Sequence, residues 1–283
     1  MSDIAIITDS TSNIPLELCE EYGIQVVPQV LIWGEETLFE DVDITADQFY
    51  ERLQSSEALP TTSQATIAGF IELFTKPVEE GKAILAILIS DELSGTIQSA
   101  TQAKKEFPDA RIEIIDSRSA SMELGFQALA AARAVKAGKS FEEVIQTAKL
   151  AKENTGVMFV VDTLEYLHRG GRIGGASRLL GTALNLKPLL YVHNGRVEPL
   201  ENVRTKRKAV SRMIHLIEEN VLSGEPPYRI AALHAASPVE GQELLDMAME
   251  RIKPVEGILT VVGPVVGTHV GPGTVGIAYC TGI

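Results

Sequence analysis

A run of seven consecutive apolar residues, at positions 83–89, is the feature that most restricts the fold of this chain. The run has the length of a strand, and a strand with no polar position is buried on both faces. Such strands are typical of parallel sheets covered by helices. Further strands are predicted at 4–8 and 111–115, and helical patterns alternate with all three. The first half is therefore predicted to be a doubly wound α/β unit with a parallel sheet.

Capping and turn signals fill in the rest of this first unit. They are read from prolines near helix starts, from Ser/Thr residues followed three positions later by Glu or Gln, and from glycines in turns. The predicted elements are helices after Pro15, at 45–53, after a cap at Thr62 or Ser63, at 96–107, at 120–137 and after Ser140, and a hairpin of 25–33 with 36–39 across Gly34.

The pattern changes near residue 155. A strand at 157–161 is followed by a glycine-dense turn and then by a hairpin whose Asn194-Gly195 turn is a strong two-residue hairpin signal. Helices near 205–222 and 239–252 then alternate with strands near 229–234, 258–262 and 275–280. We therefore predict two domains, residues 1–155 and residues 156–283. The second is predicted to be α+β with a mixed or antiparallel sheet.

Charge and composition exclude several classes of function. The net charge of −13 over 283 residues disfavours binding to nucleic acid and to anionic membrane surfaces. No stretch approaches the roughly 20 apolar residues that a membrane helix needs. The N-terminal residues lack the basic region and cleavage site of a signal peptide. A cytoplasmic location without stable membrane insertion is expected.

Small polar residues follow three strands of the predicted parallel sheet, at the edge where such sheets bind ligands. They are Thr8 to Thr11 after the first strand, Ser90 with Ser94-Gly95-Thr96 after the second, and Asp116-Ser117 after the third; a fourth cluster is Thr61-Thr62-Ser63-Gln64. Such residues also cap helices, so each cluster has a structural alternative. The cluster at Ser94 suits a carboxylate or a phosphate, because a glycine at a helix start leaves N–H groups open.

A single histidine, His269, lies in a run rich in glycine, proline and valine at residues 263–276. The run is predicted to be either a turn between two strands or a polar site with room for a ligand. No phosphate-binding loop, dinucleotide fingerprint, nucleophile elbow or paired metal-ligand spacing is present, so neither a cofactor nor a metal is expected. Two basic groups are ambiguous: the stretch at 204–208 and the pair Arg169 and Arg172. Each is either a solvated surface or part of a functional site.

Taken together, these motifs resemble the DegV family over essentially the whole chain. The resemblance rests on the order of the clusters above and on Leu164 to Ile173, Lys187-Pro188, Val203-Arg204-Thr205 and the His269 segment. One departure is Ala65, which stands where the family usually has a proline.

The resemblance implies two α/β domains, the first Rossmann-like, and one long-chain fatty acid in a buried apolar tunnel between them. It implies a FakB-type subunit that presents the acyl carboxylate to an ATP-dependent fatty acid kinase and performs no catalysis itself. The implied carboxylate site comprises Thr62 (or Thr61), Ser94, Gly95, Thr96 and His269, with Asp9, Ser10, Asp116 and Arg169 in a supporting network and Arg204 as the residue that works with the kinase.

Two other functions are compatible with the same residues. One is a free-standing enzyme that uses Ser94 or Ser10 with His269 on an acyl or phosphoryl substrate. The other is a regulator that acts through protein or DNA contacts. The net charge of −13 argues against DNA, and the basic stretch around Arg204 would dock an acidic partner.

Overall fold

The computed structural model describes residues 3–56, 58–180 and 187–283, so the first two residues of the N-terminal segment lie outside it. The strands are β1 (Ile4–Asp9), β2 (Ile24–Val27), β3 (Val30–Trp33), β4 (Glu36–Phe39), β5 (Thr61–Ser63), β6 (Ala83–Leu88), β7 (Ile112–Asp116), β8 (Thr155–Val160), β9 (Lys187–His193), β10 (Arg196–Val203), β11 (Tyr228–His234), β12 (Glu256–Val261) and β13 (Val275–Thr281). The helices are α1 (Leu16–Tyr22), α2 (Ala46–Ser55), α3 (Ile67–Glu79), α4 (Thr96–Lys104), α5 (Ser121–Lys136), α6 (Phe141–Glu153), α7 (Glu165–Arg169), α8 (Lys206–Ser223), α9 (Pro238–Ile252) and α10 (Pro264–Val270).

The apolar run at 83–89 forms a central strand of a parallel sheet, as its composition predicts. The sheet has the order β2-β1-β6-β7, and all of its neighbouring strands are parallel. Every residue of β6 is buried. Helices cover both faces, so the predicted doubly wound α/β unit is confirmed.

The second half forms a six-stranded mixed sheet, also as predicted. Its order is β10-β9-β8-β13-β11-β12, in which only β11 and β12 pair in parallel. The β9–β10 hairpin turns at Asn194 and Gly195, which both have the positive φ that a tight two-residue turn requires.

A small third sheet, in the order β4-β3-β5, corrects two predictions. Residues 25–33 are not one strand: β2 joins the parallel sheet and β3 joins the small sheet. The break falls at Pro28, which has no N–H to continue a ladder. Thr62 and Ser63 do not cap a helix either, because they pair with β3 as part of β5. The cap of α3 is Thr66, whose hydroxyl accepts from the Gly69 N–H at 3.0 Å.

The glycine-rich run around His269 is not simply a turn. Residues 264–270 form the two-turn helix α10, with Pro264 in its first turn. Gly271, at φ +76°, ends the helix. Proline is well suited to a first turn and glycine to the position after a helix, so the sequence carries both signals of a short helix.

Helix α5 lies between the parallel sheet and the mixed sheet. It contacts β1 and β6 on one side and β8 and β13 on the other. The largest apolar cluster accordingly includes residues of both sheets, such as Leu85 and Val157. The boundary at residue 155 stays a prediction. Among the described residues, no helix is both long and apolar enough to cross a membrane.

Candidate functional site

A cavity opens between the carboxyl edge of the parallel sheet, the mixed sheet and α10. It encloses about 890 Å³ of space between atoms, part of it open to solvent. Most of its wall is apolar, and the apolar lining residues are Ile89, Leu93, Ala120, Val157, Phe159, Leu167, Val192, Val197, Leu233, Val262, Val265, Val266 and Val270. Its polar lining residues include Thr62 and Ser63 of β5, Ser94 before α4, and His269 in the last turn of α10. We call this space the inner cavity.

A second cavity adjoins it and shares three residues with it. Thr62, Arg172 and His269 line both, whereas Thr61 and Arg169 line only the second. We call this space the outer cavity. The three shared residues stand where the two cavities meet, so a ligand that filled the inner cavity with its apolar part would expose its polar end to them.

Thr62 and His269 are in direct contact. The Thr62 hydroxyl lies 2.7 Å from Nε2 of His269. The contact forms because α10 packs against α2, β3 and β5 of the first half, although it belongs to the second half of the chain. The Tyr50 hydroxyl, which donates to the Val262 carbonyl at 2.8 Å, anchors the segment that leads into α10.

Burial keeps His269 neutral. Desolvation, followed by the nearby positive charge of Arg172, lowers the pKa of His269 from 6.5 to about 4. Its Nδ1 is buried and has no hydrogen-bond partner among the residues that the structure describes. This nitrogen faces Gly170, where a Cβ atom would overlap the imidazole ring. Glycine at 170 therefore makes room for the histidine.

Ser94 belongs to a small network of hydroxyl and amide groups. Its hydroxyl lies 2.9 Å from that of Thr96, which accepts a hydrogen bond of 2.8 Å from Nε2 of Gln29. Oε1 of Gln29 accepts from the Ala65 N–H at 2.8 Å, a bond that a proline at 65 could not donate. Gly95 is the N-terminal cap residue of α4 and supplies no side-chain cap. Of the predicted trio, Ser94 alone lines the inner cavity.

Arg172 joins this region to the outer cavity. Its Nε donates to the Leu93 carbonyl at 3.0 Å, and its Nη1 donates to the Gly170 carbonyl at 2.7 Å. Arg169, which sequence analysis placed in the supporting network, instead makes an ion pair of 2.6 Å with Glu165, and both side chains are more than half exposed. Of these two arginines, only Arg172 lines both cavities.

The other predicted supporting residues lie behind the site or away from it. Asp9 accepts from the Thr11 N–H at 3.1 Å and from the Ile89 N–H at 2.8 Å, which is the capping role that its position suggested. Burial raises the pKa of Asp9. Ser10 is buried and donates to Glu40. Neither Asp9 nor Ser10 lines the inner or the outer cavity.

Asp116 and Arg204 take no part in this arrangement. Asp116 accepts from the Arg118 N–H at 2.8 Å and lines neither cavity. Arg204 is exposed between β10 and α8, and it makes no ion pair within the described residues. Two positions later, Lys206 pairs with Glu240 at 2.5 Å.

The sequence prediction missed two residues, Gln29 in the inner cavity wall and Glu40 behind it, and it left the role of Arg172 undecided. Gln29 and Glu40 are both 1% exposed. A fully buried amide or carboxyl group needs partners, yet its burial cannot be read from a sequence in which Gln29 lies within a predicted strand and Glu40 directly follows one. For Arg172, the only signal was its place in a glycine-dense turn.

Comparison with known proteins gives a consistent result. A sequence model of the family described as "Uncharacterised protein, DegV family" matches residues 3–282. A DegV domain-containing protein of Streptomyces coelicolor is 38% identical over 276 residues, which span 97% of each chain. The crystal structure of DegV from Bacillus subtilis, described as a fatty acid binding protein, has a TM-score of 0.90 to this chain at 34% identity, with 100% of both chains covered. A DegV family protein from Thermus thermophilus, described for its fatty acid binding, has a TM-score of 0.90 at 32% identity and coverage of 99% and 100%.

Proposed function

This chain belongs to the DegV family, and on that premise we propose that it binds one long-chain fatty acid, with the tail in the inner cavity and the carboxylate at Thr62, Ser94 and His269. One observation carries the proposal. A largely apolar cavity between the two sheets ends in neutral hydrogen-bonding side chains that face a second, outer cavity.

The inner cavity supplies affinity for the tail. Each buried CH₂ group contributes about 0.8 kcal/mol, so a sixteen-carbon chain gains on the order of 10 kcal/mol before the cost of association is subtracted. Valine, leucine, isoleucine and phenylalanine side chains make up most of the lining, so most of the tail would contact apolar groups. Because burial of the tail supplies most of the affinity, a few polar residues at one end of the cavity are enough to orient the ligand.

The head group needs donors, because a buried carboxylate without partners is costly. The hydroxyls of Thr62 and Ser94 are suited to donate to it, and Arg172 adds a positive charge at the boundary of the two cavities. In the tautomer that this role requires, His269 donates from Nε2 to the Thr62 oxygen, which leaves the Thr62 proton for the ligand. The unpartnered Nδ1 of His269 is compatible with that tautomer.

We further propose that the carboxylate is presented through the outer cavity to an ATP-dependent fatty acid kinase, which forms the acyl phosphate. Arg204, exposed and without an ion pair among the described residues, is the residue proposed to work with that kinase. In this proposal the chain needs no metal and no cofactor besides the bound fatty acid.

A catalytic serine–histidine pair is the weaker hypothesis. Nε2 of His269 contacts Thr62 rather than Ser94 or Ser10. A pKa near 4 also makes His269 a poor general base at neutral pH. The geometry therefore favours a carrier over a free-standing enzyme.

Mass spectrometry tests the proposal. Protein purified from a bacterial host is denatured, and its extract is searched for long-chain acids. The protein is then delipidated, refolded if needed and exposed to palmitate or oleate. We expect about one fatty acid per chain in both experiments. Absence of lipid after both would refute the proposal, and turnover of an acyl ester without a partner would favour the enzyme.

A further inference from the structure

Glu40 is a buried carboxyl group that the proposed binding of a fatty acid does not use directly. It follows β4 and is 1% exposed. Its Oε1 accepts from the Val265 N–H at 3.0 Å, at the beginning of α10. Its Oε2 accepts from the Ser10 hydroxyl. The residue thus connects the helix that carries His269 to the end of the first strand of the parallel sheet.

The connection continues from Ser10 to the other side of the head-group site. Besides donating to Glu40, the Ser10 hydroxyl accepts from the Gln29 N–H at 3.0 Å. The Gln29 side chain donates to Thr96 at 2.8 Å, and Thr96 lies 2.9 Å from Ser94. A continuous series of hydrogen bonds therefore leads from Val265 through Glu40 to Ser94.

Glycine at position 263 leaves room for the Glu40 carboxyl group beside the start of α10. A Cβ atom at Gly263 would overlap Oε1 of Glu40. The carboxyl group consequently lies directly against the backbone that leads into α10.

We propose that Glu40 is a positioning residue, which holds His269 with Thr62 on one side and Ser94 on the other at the separation that a fatty-acid carboxylate requires. The proposal rests on the function proposed above and names the residue that sets the geometry of its site. Without Glu40, α10 would keep its apolar packing but lose its polar tie to the parallel sheet.

The charge state of Glu40 supports this role. Desolvation raises the pKa of Glu40 to about 8, although its hydrogen bonds with Ser10 and Val265 lower it; the nearby acids Asp41 and Asp9 add to the increase. The phenol of Tyr50 also faces it and has a raised pKa. No cation is among the groups that shift its pKa. At neutral pH Glu40 is therefore mostly protonated. In that form Oε2 donates to the Ser10 oxygen, whereas the ionised form accepts from the Ser10 hydroxyl. The neutral group adds little repulsion to a bound carboxylate.

The first test compares the affinity for palmitate of delipidated proteins at pH 7, by isothermal titration calorimetry below the micelle concentration. Glu40→Ala loses two buried hydrogen bonds and is expected to bind about tenfold more weakly. Glu40→Gln keeps an acceptor for Val265 and a polar atom for Ser10, and is expected to bind within twofold of the wild type. Glu123→Gln is the matched control, since burial raises the pKa of Glu123 to about 8 as well but Glu123 lines neither cavity.

The second test repeats the titration from pH 7 to pH 9.5. As Glu40 ionises, its charge opposes the ligand carboxylate, so the wild type and Glu123→Gln are expected to lose about tenfold in affinity. The glutamine of Glu40→Gln cannot ionise, so the palmitate affinity of this variant is expected to stay constant between pH 7 and pH 9.5. Because this comparison uses the isosteric variant, it holds even where Glu40→Ala fails to fold.

The outcomes separate the two proposals. A wild type that does not bind palmitate refutes the proposed function itself. A wild type that binds, with Glu40→Gln as sensitive to alkaline pH as the wild type, overturns the role of Glu40 alone. Unchanged affinity in a folded Glu40→Ala has the same consequence.

Discussion

The hydroxyl of Thr62 lies 2.7 Å from Nε2 of His269, although 207 positions separate the two residues in the chain. Strand β5 carries the threonine and helix α10 carries the histidine. They meet because α10 packs against the small sheet of the first half rather than only against its own half. Both residues line the inner and the outer cavity, so a ligand head group at the junction of the two cavities would contact this pair.

Replacing Thr62 should distinguish it from its neighbour Thr61. Thr62 lines both cavities and contacts His269, whereas Thr61 is exposed and lines only the outer cavity. Valine has nearly the same shape as threonine but no hydroxyl. We expect Thr62→Val to weaken palmitate binding about tenfold, the value of one charge-assisted hydrogen bond, and Thr61→Val to change it less than twofold. Calorimetric titration measures both, and the reverse order would assign the carboxylate to Thr61.

Acid should destabilise the protein partly through His269. The pKa of His269 is about 4 in the folded protein and 6.5 for an unperturbed histidine, so the unfolded chain takes up the proton first as the pH falls. The free energy of unfolding therefore falls by up to about 3 kcal/mol as the pH drops from 6.5 to 4. Above pH 6.5 the neutral His269 makes its full contribution to stability.

Urea unfolding of the wild type and of His269→Gln at pH 7 and pH 4.5 checks this expectation. The loss of stability between the two pH values should be smaller in the variant, since every other group titrates in both proteins. Equal losses would mean that His269 is not held neutral by burial.

Gly170 should be essential for the placement of His269. A Cβ atom there would overlap the imidazole ring. We expect Gly170→Ala to displace the ring and to weaken palmitate binding about tenfold or more. Gly171→Ala is the control: it strains a backbone at φ +71° but its Cβ meets no atom within 4 Å. The control should lower the melting temperature while palmitate affinity stays near the wild-type value.

The neighbouring arginines should differ in their importance for the ligand. Arg172 lines both cavities and hydrogen-bonds to Leu93 and Gly170, whereas Arg169 forms an exposed ion pair. We expect Arg172→Gln to reduce palmitate affinity at least tenfold and Arg169→Gln to reduce it less than twofold, because exposed pairs contribute little. In the first variant the pKa of His269, followed by NMR of its ring protons, should rise, since the charge that lowers it is gone.

Reversing the charge of Arg204 should affect only the partner-dependent step. We expect Arg204→Glu to abolish acyl phosphate formation with a fatty acid kinase and ATP, while palmitate binding is unchanged, because the side chain is exposed and lines neither cavity. Lys105→Glu makes the same change of charge at the end of α4 and should leave acyl phosphate formation intact. Unchanged acyl phosphate formation by Arg204→Glu would contradict the proposed role, whereas loss of palmitate binding would indicate misfolding.

Several elements could be predicted because their signals are local. The capping boxes at Thr45 and Ser140 are present, and the Asn194-Gly195 turn closes its hairpin. The prediction failed where a local signal had two outcomes. Pro28 ended a strand that alternation alone would have continued, and Thr62 was assigned to a helix cap although it entered β5.

The site itself was predictable in its residue types and not in its contacts. Hydroxyl residues at strand ends indicated a neutral donor set, and Thr62, Ser94 and His269 do line one cavity. Gln29 and Glu40 gave no comparable signal, because a polar residue in a strand pattern is normally solvent-facing and only burial makes its hydrogen bonds important.

The sequence by itself determined the parallel and mixed sheets, the order of their helices and the polar residues at the strand ends, since apolar periodicity, capping and turn chemistry act over a few neighbouring residues. Only the tertiary structure decided which of those polar groups meet. The pairing of Thr62 with His269, the choice of Arg172 over Arg169 and the link through Glu40 all depend on α10 packing across to the first half of the chain. Burial in that packing lowers the pKa of His269 and raises that of Glu40, and burial is a property of the folded chain rather than of any one residue.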